Sequence, residues 1–381
     1  MGITVQEALA LDILNGFKVV AGRKGLSREI NHVAVWDYET AELIEKNFSS
    51  EDFALSTLVA IRDDVGKLYE VVERMIAVGI SCLAIKNVYF DHIPQEVLSL
   101  ADKNQFPIMI FTGTFTEDVI VYVTKAINDK KRYDNLASII DNIIYGDLNE
   151  AGIRKLALGI NMNFKEKSIV AFCKKIERKT VDIRSFSEKE MEEAFSRVIL
   201  YKNGYLVINT FEKDQQKDIE KTFLRRLEWW GFDHKEYVIG IGSLYDNLGN
   251  LNKSIQESLY AFKYAEAYKK DISLFHELGI NKMLLPILDN PWVIKYYNEM
   301  IEPLIAYDKN NETELLDTAV KYIENNGDIK ATAEDLFQHG NTVRYRIDKI
   351  SKVLYGNGKC EHFYEELAAA VRIYILKKGP L

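Results

Sequence analysis

Five short apolar runs, at residues 17–21, 32–36, 53–59, 82–85 and 107–111, alternate with helical patterns at 67–78 and 94–104. Several of the runs are apolar throughout rather than at every second residue, the pattern of strands buried on both faces. Strands of that kind separated by helices leave few architectures open. The alternation predicts an α/β domain around a largely parallel sheet over residues 1–125. Thr4-Val5-Gln6-Glu7 supplies a capping box for a helix reaching about Leu14, and Pro94 occupies a first-turn position. From Phe115 to Tyr145 no glycine or proline interrupts the chain, which predicts one long helix, with a linker at 126–147. That helix fits dimerisation and packing on its own domain equally well.

A second α/β stretch occupies residues 148–285, with a strand at 168–176, a helix at 187–196, and strands at 197–201 and 205–210. Lys202-Asn203-Gly204 joins the last two as a hairpin, because Asn-Gly favours the positive φ of a tight turn. A helix through Trp229-Trp230, a strand at 237–241 and a helix at 254–270 follow. Residues 286–381 turn all-helical, giving three domains in 381 residues.

Helices are predicted at 291–306 and 313–324, the second stopped by Asn325-Asn326-Gly327. A short helix at 328–337, a tight Gln338-His339-Gly340 turn and a longer helix at 341–354 complete a helix-turn-helix. At 100° per residue, Val343, Ile347, Ile350 and Leu354 fall on one stripe facing a core. Asn341, Tyr345, Lys349 and Lys352 cluster opposite, with Thr342 and Arg344 on the flanks, while Arg346 stands beside the core stripe. Amides, hydroxyls and cations at a helix N-terminus suit base edges and phosphates. By charge alone, a solvated helix face explains this surface at least as well. A last helix at 362–377 packs beneath the motif or forms a dimer contact.

Composition narrows the function classes. With 47% hydrophobic and 28% charged residues the chain can bury large cores, and Cys82, Cys173 and Cys360 lie far apart with no metal-ligand spacing. Met1-Gly2-Ile3-Thr4 lacks a cationic leader, and no run of 18 apolar residues exists, so a soluble, cytoplasmic chain is expected. A net charge of -8 disfavours diffuse nucleic-acid coating while leaving room for a local basic element. Gly22-Arg23-Lys24-Gly25 lacks the pattern of a phosphate loop and reads as a turn. The six histidines suggest no catalytic pairing, and no cofactor or metal site is expected.

The wording of several segments resembles the purine catabolism regulator (PucR) family. Val19-Val20-Ala21-Gly22, Leu83-Ala84-Ile85-Lys86, Ile93-Pro94, Ala101-Asp102 and Phe106-Pro107-Ile108 are similar to its N-terminal domain over roughly residues 4–125. Gly240-Ile241-Gly242 with Ser254-Ile255-Gln256-Glu257-Ser258 resembles its GGDEF-like middle domain, related to diguanylate cyclases. Thr332-Ala333, Leu336, His339 and Asn341-Thr342-Val343-Arg344-Tyr345-Arg346 resemble its C-terminal helix-turn-helix.

The resemblance implies a transcription regulator, not an enzyme, that binds double-stranded DNA through His339, Asn341, Thr342, Arg344, Tyr345, Arg346, Lys349 and Lys352. It also implies a small-molecule effector of unknown identity, catabolic target genes and a homodimer. The middle domain lacks the acidic residues that would hold magnesium on a triphosphate: the tip is Lys202-Asn203-Gly204 and the first strand carries no carboxylate. A nucleotide-binding receptor or residual enzyme using that domain stays open as the rival. Gly340 stands where many relatives carry a basic residue, which eases the turn and removes a phosphate contact. A scaffold with a vestigial motif is the third reading.

Overall fold

The computed structural model describes residues 2–89, 92–176, 194–214, 218–356, 358 and 360–378. The chain falls into two compact units, Met1–Ser138 and Ile139–Leu381. The first is mixed α/β, and the second passes from α/β to all-helical toward its end.

In the first unit β1 (Ile3–Thr4) leads into α1 (Val5–Leu9). The capping box is present: Thr4 Oγ1 accepts the Glu7 amide at 3.1 Å, and Glu7 Oε2 accepts the Thr4 amide at 2.7 Å. The helix does not continue to Leu14. Leu11 turns extended, and a 3-10 turn at Asp12–Leu14 carries Leu14 into the core. Then come β2 (Lys18–Ala21), β3 (Glu29–Ile30), β4 (His32–Val35), α2 (Ile44–Asn47), β5 (Asp52–Ser56), α3 (Leu68–Val78), β6 (Cys82–Lys86), α4 (Gln95–Lys103) and β7 (Ile108–Phe111). Pro94 is the N-cap of α4 rather than a residue of its first turn. The sheet order is β2-β7-β6-β5-β4, parallel from β4 to β7 with β2 antiparallel at one edge.

Both faces of this sheet are covered, which explains the continuous apolar runs. Ala54, Leu83 and Ile85 pack with Trp36, Val71, Met75 and Val97 on one face. Their alternate neighbours Phe53, Leu55, Cys82 and Ala84 pack with Val5, Leu14, Val119 and Val123 on the other. The last two belong to α5 (Thr116–Tyr145), the long helix expected from the unbroken pattern.

Gly22 shows why separated fragments of the N-terminal sequence form one signature. It sits at φ +70°, its amide donates to Asp102 Oδ1 at 2.7 Å, and a Cβ would lie 2.0 Å from the Phe106 carbonyl oxygen. The glycine-rich segment is therefore a packed turn closed by α4 and the start of β7.

The second unit opens with α6 (Glu150–Ile160) and β8 (Lys167–Lys175), then β9 (Ser196–Tyr201), β10 (Gly204–Phe211), α7 (Ile219–Trp229), β11 (Tyr237–Ile241), α8 (Leu251–Ala267) and β12 (Ile272–Leu274). Most of the helix expected at 187–196 lies outside the described residues, and Ser196 itself begins a strand. The sheet runs β12-β11-β8-β10-β9. The hairpin turn is Lys202-Asn203 rather than Asn203-Gly204, since φ is positive at both and Gly204 already pairs with Tyr201. Gly204 is needed for another reason: a Cβ there would meet the Phe172 ring at 2.5 Å. Gly240 and Gly242 let α8 approach the sheet closely, because added Cβ atoms would lie 2.0 Å from the Phe262 amide nitrogen and 2.2 Å from the Ser254 carbonyl oxygen.

The helical part comprises α9 (Asn281–Leu284), α10 (Pro291–Asn311), α11 (Leu315–Glu324), α12 (Ile329–Asp335), α13 (Gly340–Tyr355) and α14 (Phe363–Lys378). α11 starts two residues later than expected because Asp308, at the end of α10, accepts the Leu315 and Leu316 amides at 2.8 and 2.9 Å. α14 is buried on two sides. Leu367, Ala370 and Val371 face the helix-turn-helix core, whereas Ile373 and Leu376 pack with Ala261, Leu284 and Leu288. No helix among the described residues is long and apolar enough to cross a membrane.

Candidate nucleic-acid interface

The two helices of the motif are fixed from both ends. Asp328 caps α12 by accepting the Lys330 and Ala331 amides at 2.7 and 3.1 Å, and buried Thr332 ties its hydroxyl to the Asp328 carbonyl at 2.6 Å. Asp328→Ala is expected to lower the stability of this region by about 1 kcal/mol, visible as a lower urea midpoint with unchanged slope. The C-terminal end of α12 is closed by a pair of bonds, Phe337 N–H to the Glu334 carbonyl at 3.2 Å and Gln338 N–H to the Ala333 carbonyl at 2.9 Å. Phe337 itself lies at φ +53°, in the position that glycine normally fills in such a stop.

His339 is the N-cap of α13, its Nδ1 accepting the Asn341 amide at 3.2 Å. An imidazole that accepts there carries its proton on Nε2, which remains free on an exposed side chain. Gly340 is the first helical residue, not the hinge of the turn. Its φ is ordinary, and a Cβ would have open space around it apart from Ile329 Cγ2 at 3.9 Å. The easing of the turn expected from Gly340 is not used, since the left-handed residue of the turn is Phe337.

Along α13, Val343, Ile347 and Ile350 are buried among Ile301, Leu304, Leu315, Ala319 and Val371, as the stripe requires, and Leu354 packs partly buried at its end. Asn341, Arg344, Tyr345 and Lys352 are exposed, Tyr345 at 68%. Arg344 donates to Asn341 Oδ1 at 3.3 Å, coupling the two side chains at the N-terminal end. Thr342 is half-buried beside them.

Two of the expected residues turn toward the protein instead. Arg346, beside the core stripe, donates to Thr318 Oγ1 at 3.1 Å and pairs with Glu314 at 3.3 Å, joining α13 to α11. Lys349 is half-buried, with Nζ 5.1 Å from the Tyr307 ring centroid on α10. Arg346→Ala is expected to cost about 0.5–1 kcal/mol of stability through the lost bond to Thr318, whose hydroxyl keeps its own donation to the Glu314 carbonyl at 2.8 Å, the exposed Glu314 pair adding little. Thermal unfolding alongside a DNA titration checks this: the melting temperature falls and the affinity of the folded fraction stays within about twofold.

Residues missing from the sequence reading complete the surface. Lys330, Glu334, Phe337 and Gln338 from α12 and the turn line one hollow of ≈ 640 Å³ with His339, Asn341 and Arg344. Farther along, the Tyr355 hydroxyl donates to Glu366 Oε2 at 2.6 Å, and burial together with that carboxylate pushes its pKa well up, fixing the end of α13 on α14.

Comparison with known proteins agrees with this geometry. Residues 7–127 match the purine catabolism regulatory protein-like family, and residues 315–373, spanning α11 into α14, match the PucR C-terminal helix-turn-helix domain. The proline-responsive transcriptional activator PutR of Bacillus subtilis is 28% identical over 260 residues, 64% of this chain and 62% of that protein. The DNA-binding transcriptional activator AdeR of the same organism is 27% identical over 31% of this chain and 29% of its own length. The purine catabolism regulatory protein of that organism is 27% identical over 28% and 20% respectively. The chain therefore matches less than two thirds of the length of each of these relatives. The chain thus carries a PucR-like family domain followed, toward its C-terminal end, by a PucR C-terminal helix-turn-helix domain.

Proposed function

We propose that the chain is a transcription regulator that binds double-stranded DNA through the outer face of α13, and that it acts on catabolic genes in response to a small molecule. The observation that carries this reading is the exposed Asn341, Arg344 and Tyr345 set at the N-terminal end of an amphipathic second helix, backed by a buried Val343, Ile347 and Ile350 stripe. Asn and Arg offer bidentate geometry to adenine and guanine edges, and Lys330 and Lys352 flank them as exposed cations suited to phosphates. His339 contributes through its free Nε2 and Thr342 at the groove edge. Arg346 and Lys349 hold the recognition helix on its neighbours.

The regulatory reading draws on relatives named as activators and on this chain's N-terminal match to the purine catabolism regulatory protein-like family. We assign effector binding to the α/β parts, residues 1–125 or 148–285, separated by the linker at 126–147, and DNA binding to 286–381. We read the middle part as a GGDEF-like fold that performs no catalysis, because its central strand β8 offers Lys167, Lys174 and Lys175 but no carboxylate, and its hairpin tip is Lys202-Asn203. A cytoplasmic homodimer fits this function, since paired recognition helices read half-sites one DNA turn apart. With Ile373 and Leu376 already packed against the protein's own helices, that face of α14 is not the dimer contact.

Selection of the full chain on a random-sequence duplex pool tests the reading. Enrichment of a common sequence, whose affinity falls steeply with salt, is the expected result. A chain that enriches no sequence at low salt is not a sequence-reading regulator.

A further inference from the structure

Phe337 is the most exposed large apolar residue of the helix-turn-helix, 94% accessible, and it holds a left-handed backbone at φ +53°. Both properties work against the folded state. A left-handed non-glycine residue is strained, and an aromatic ring left in water contributes no burial. Nor does the turn need the ring. Leu336 takes the place beside Ile329 in the helical core, and the two backbone bonds that close α12 run through the Phe337 and Gln338 amides and would form equally well with glycine. What the ring does is wall the hollow between the two helices of the motif, together with Gln338, His339, Asn341 and Arg344.

We infer that Phe337 is a specificity-determining residue that covers the C5 methyl group of a thymine in the major groove; this rests on the DNA-binding reading of α13. Beside the ring the hollow presents Lys330, Gln338, His339, Asn341 and Arg344, which match base edges and phosphates, together with apolar Ile329 and Ala333 and the Glu334 carboxylate. The thymine methyl is the one apolar group a base pair presents in that groove. A flat apolar side chain at the entry of the recognition helix suits that group. It discriminates thymine from cytosine and from uracil without a hydrogen bond.

The test uses the full chain and the duplex that it selects from a random pool, resynthesised with each thymine replaced in turn by deoxyuridine, which removes only the methyl. Wild type is expected to lose about fourfold in affinity at one thymine of each half-site, the scale of one buried methyl group. Phe337→Gly, which removes the ring from both half-sites, is expected to bind the unmodified duplex about fifteenfold more weakly, about fourfold per half-site, and to be indifferent to uracil at those thymines alone. Because glycine suits the left-handed position, its melting temperature should equal or exceed that of wild type, so weaker binding is not misfolding. A variant that keeps wild-type affinity, as it would if the ring met another protein, overturns the inference, as does a variant penalised by uracil at the same thymines as wild type. If wild type selects no duplex, the DNA-binding reading itself falls, and this inference falls with it.

Discussion

The Asn341→Ala, Arg344→Ala double variant is expected to bind a wild-type-selected duplex at least about thirtyfold more weakly while unfolding at the wild-type temperature. Each side chain is exposed at the N-terminal end of α13, and the only contact made between them is the 3.3 Å bond from Arg344 to Asn341 Oδ1 that would be exchanged for base edges. A good bidentate base contact is worth roughly 1–3 kcal/mol of discrimination, so losing two gives between about thirtyfold and ten-thousandfold. Stability should hold because neither residue belongs to the buried stripe. The two effects are not independent, since the residues are hydrogen-bonded, and the single variants are expected to sum to more than the double. Fluorescence anisotropy with the selected duplex, with thermal unfolding beside it, reads both quantities. Wild-type affinity in the double variant would move the interface away from this end of the helix.

Ile350→Asp should have the largest effect on stability, more than about 4 kcal/mol. Ile350 is fully buried among residues of the surrounding helices, and a carboxylate there would have no partner among the apolar side chains of that cluster. The loss should extend beyond the motif. α14 shares this core through Leu367 and Val371 and shares a second one with α8 through Ile373 and Leu376, so melting α13 withdraws support from both. Urea unfolding followed by far-ultraviolet circular dichroism should show a lower midpoint, or no native baseline at all. A midpoint within 0.5 kcal/mol-equivalent of wild type, roughly the effect of an ordinary surface change, would contradict the packing described here.

Much of this architecture was legible from periodicity. The parallel sheet of the first unit follows from runs such as Phe53-Ala54-Leu55, whose successive side chains enter opposite cores. Helix ends announced by a capping box or by Asn-Asn-Gly were found close to where they lie, because those signals act over three or four residues. What periodicity could not supply was any effect carried by a distant residue. The late start of α11 depends on Asp308, the position of the hairpin turn depends on strand register, and the need for Gly204 depends on Phe172 of the neighbouring strand.

The interface shows the same division. A helical wheel placed Val343, Ile347 and Ile350 inward and Asn341, Arg344 and Tyr345 outward, as found. It could not show that Lys349 leans on Tyr307 or that Arg346 reaches Thr318 and Glu314, since long side chains go where neighbouring helices offer partners. The sequence pattern takes Phe337 into the short helix at 328–337 along with its neighbour Leu336. A second large apolar residue directly after the stripe ends, just before a tight turn, is the signal that could have exposed it.

The central claim, that the outer face of α13 lies on DNA, is tested most directly by site-specific photocrosslinking. A photoreactive phenylalanine derivative replaces Tyr345 in one preparation and Trp292, 75% exposed at the start of α10, in another. The account predicts a covalent adduct with the selected duplex from position 345 and none from position 292. A complex that forms with wild-type affinity yet gives no adduct from position 345 would contradict it.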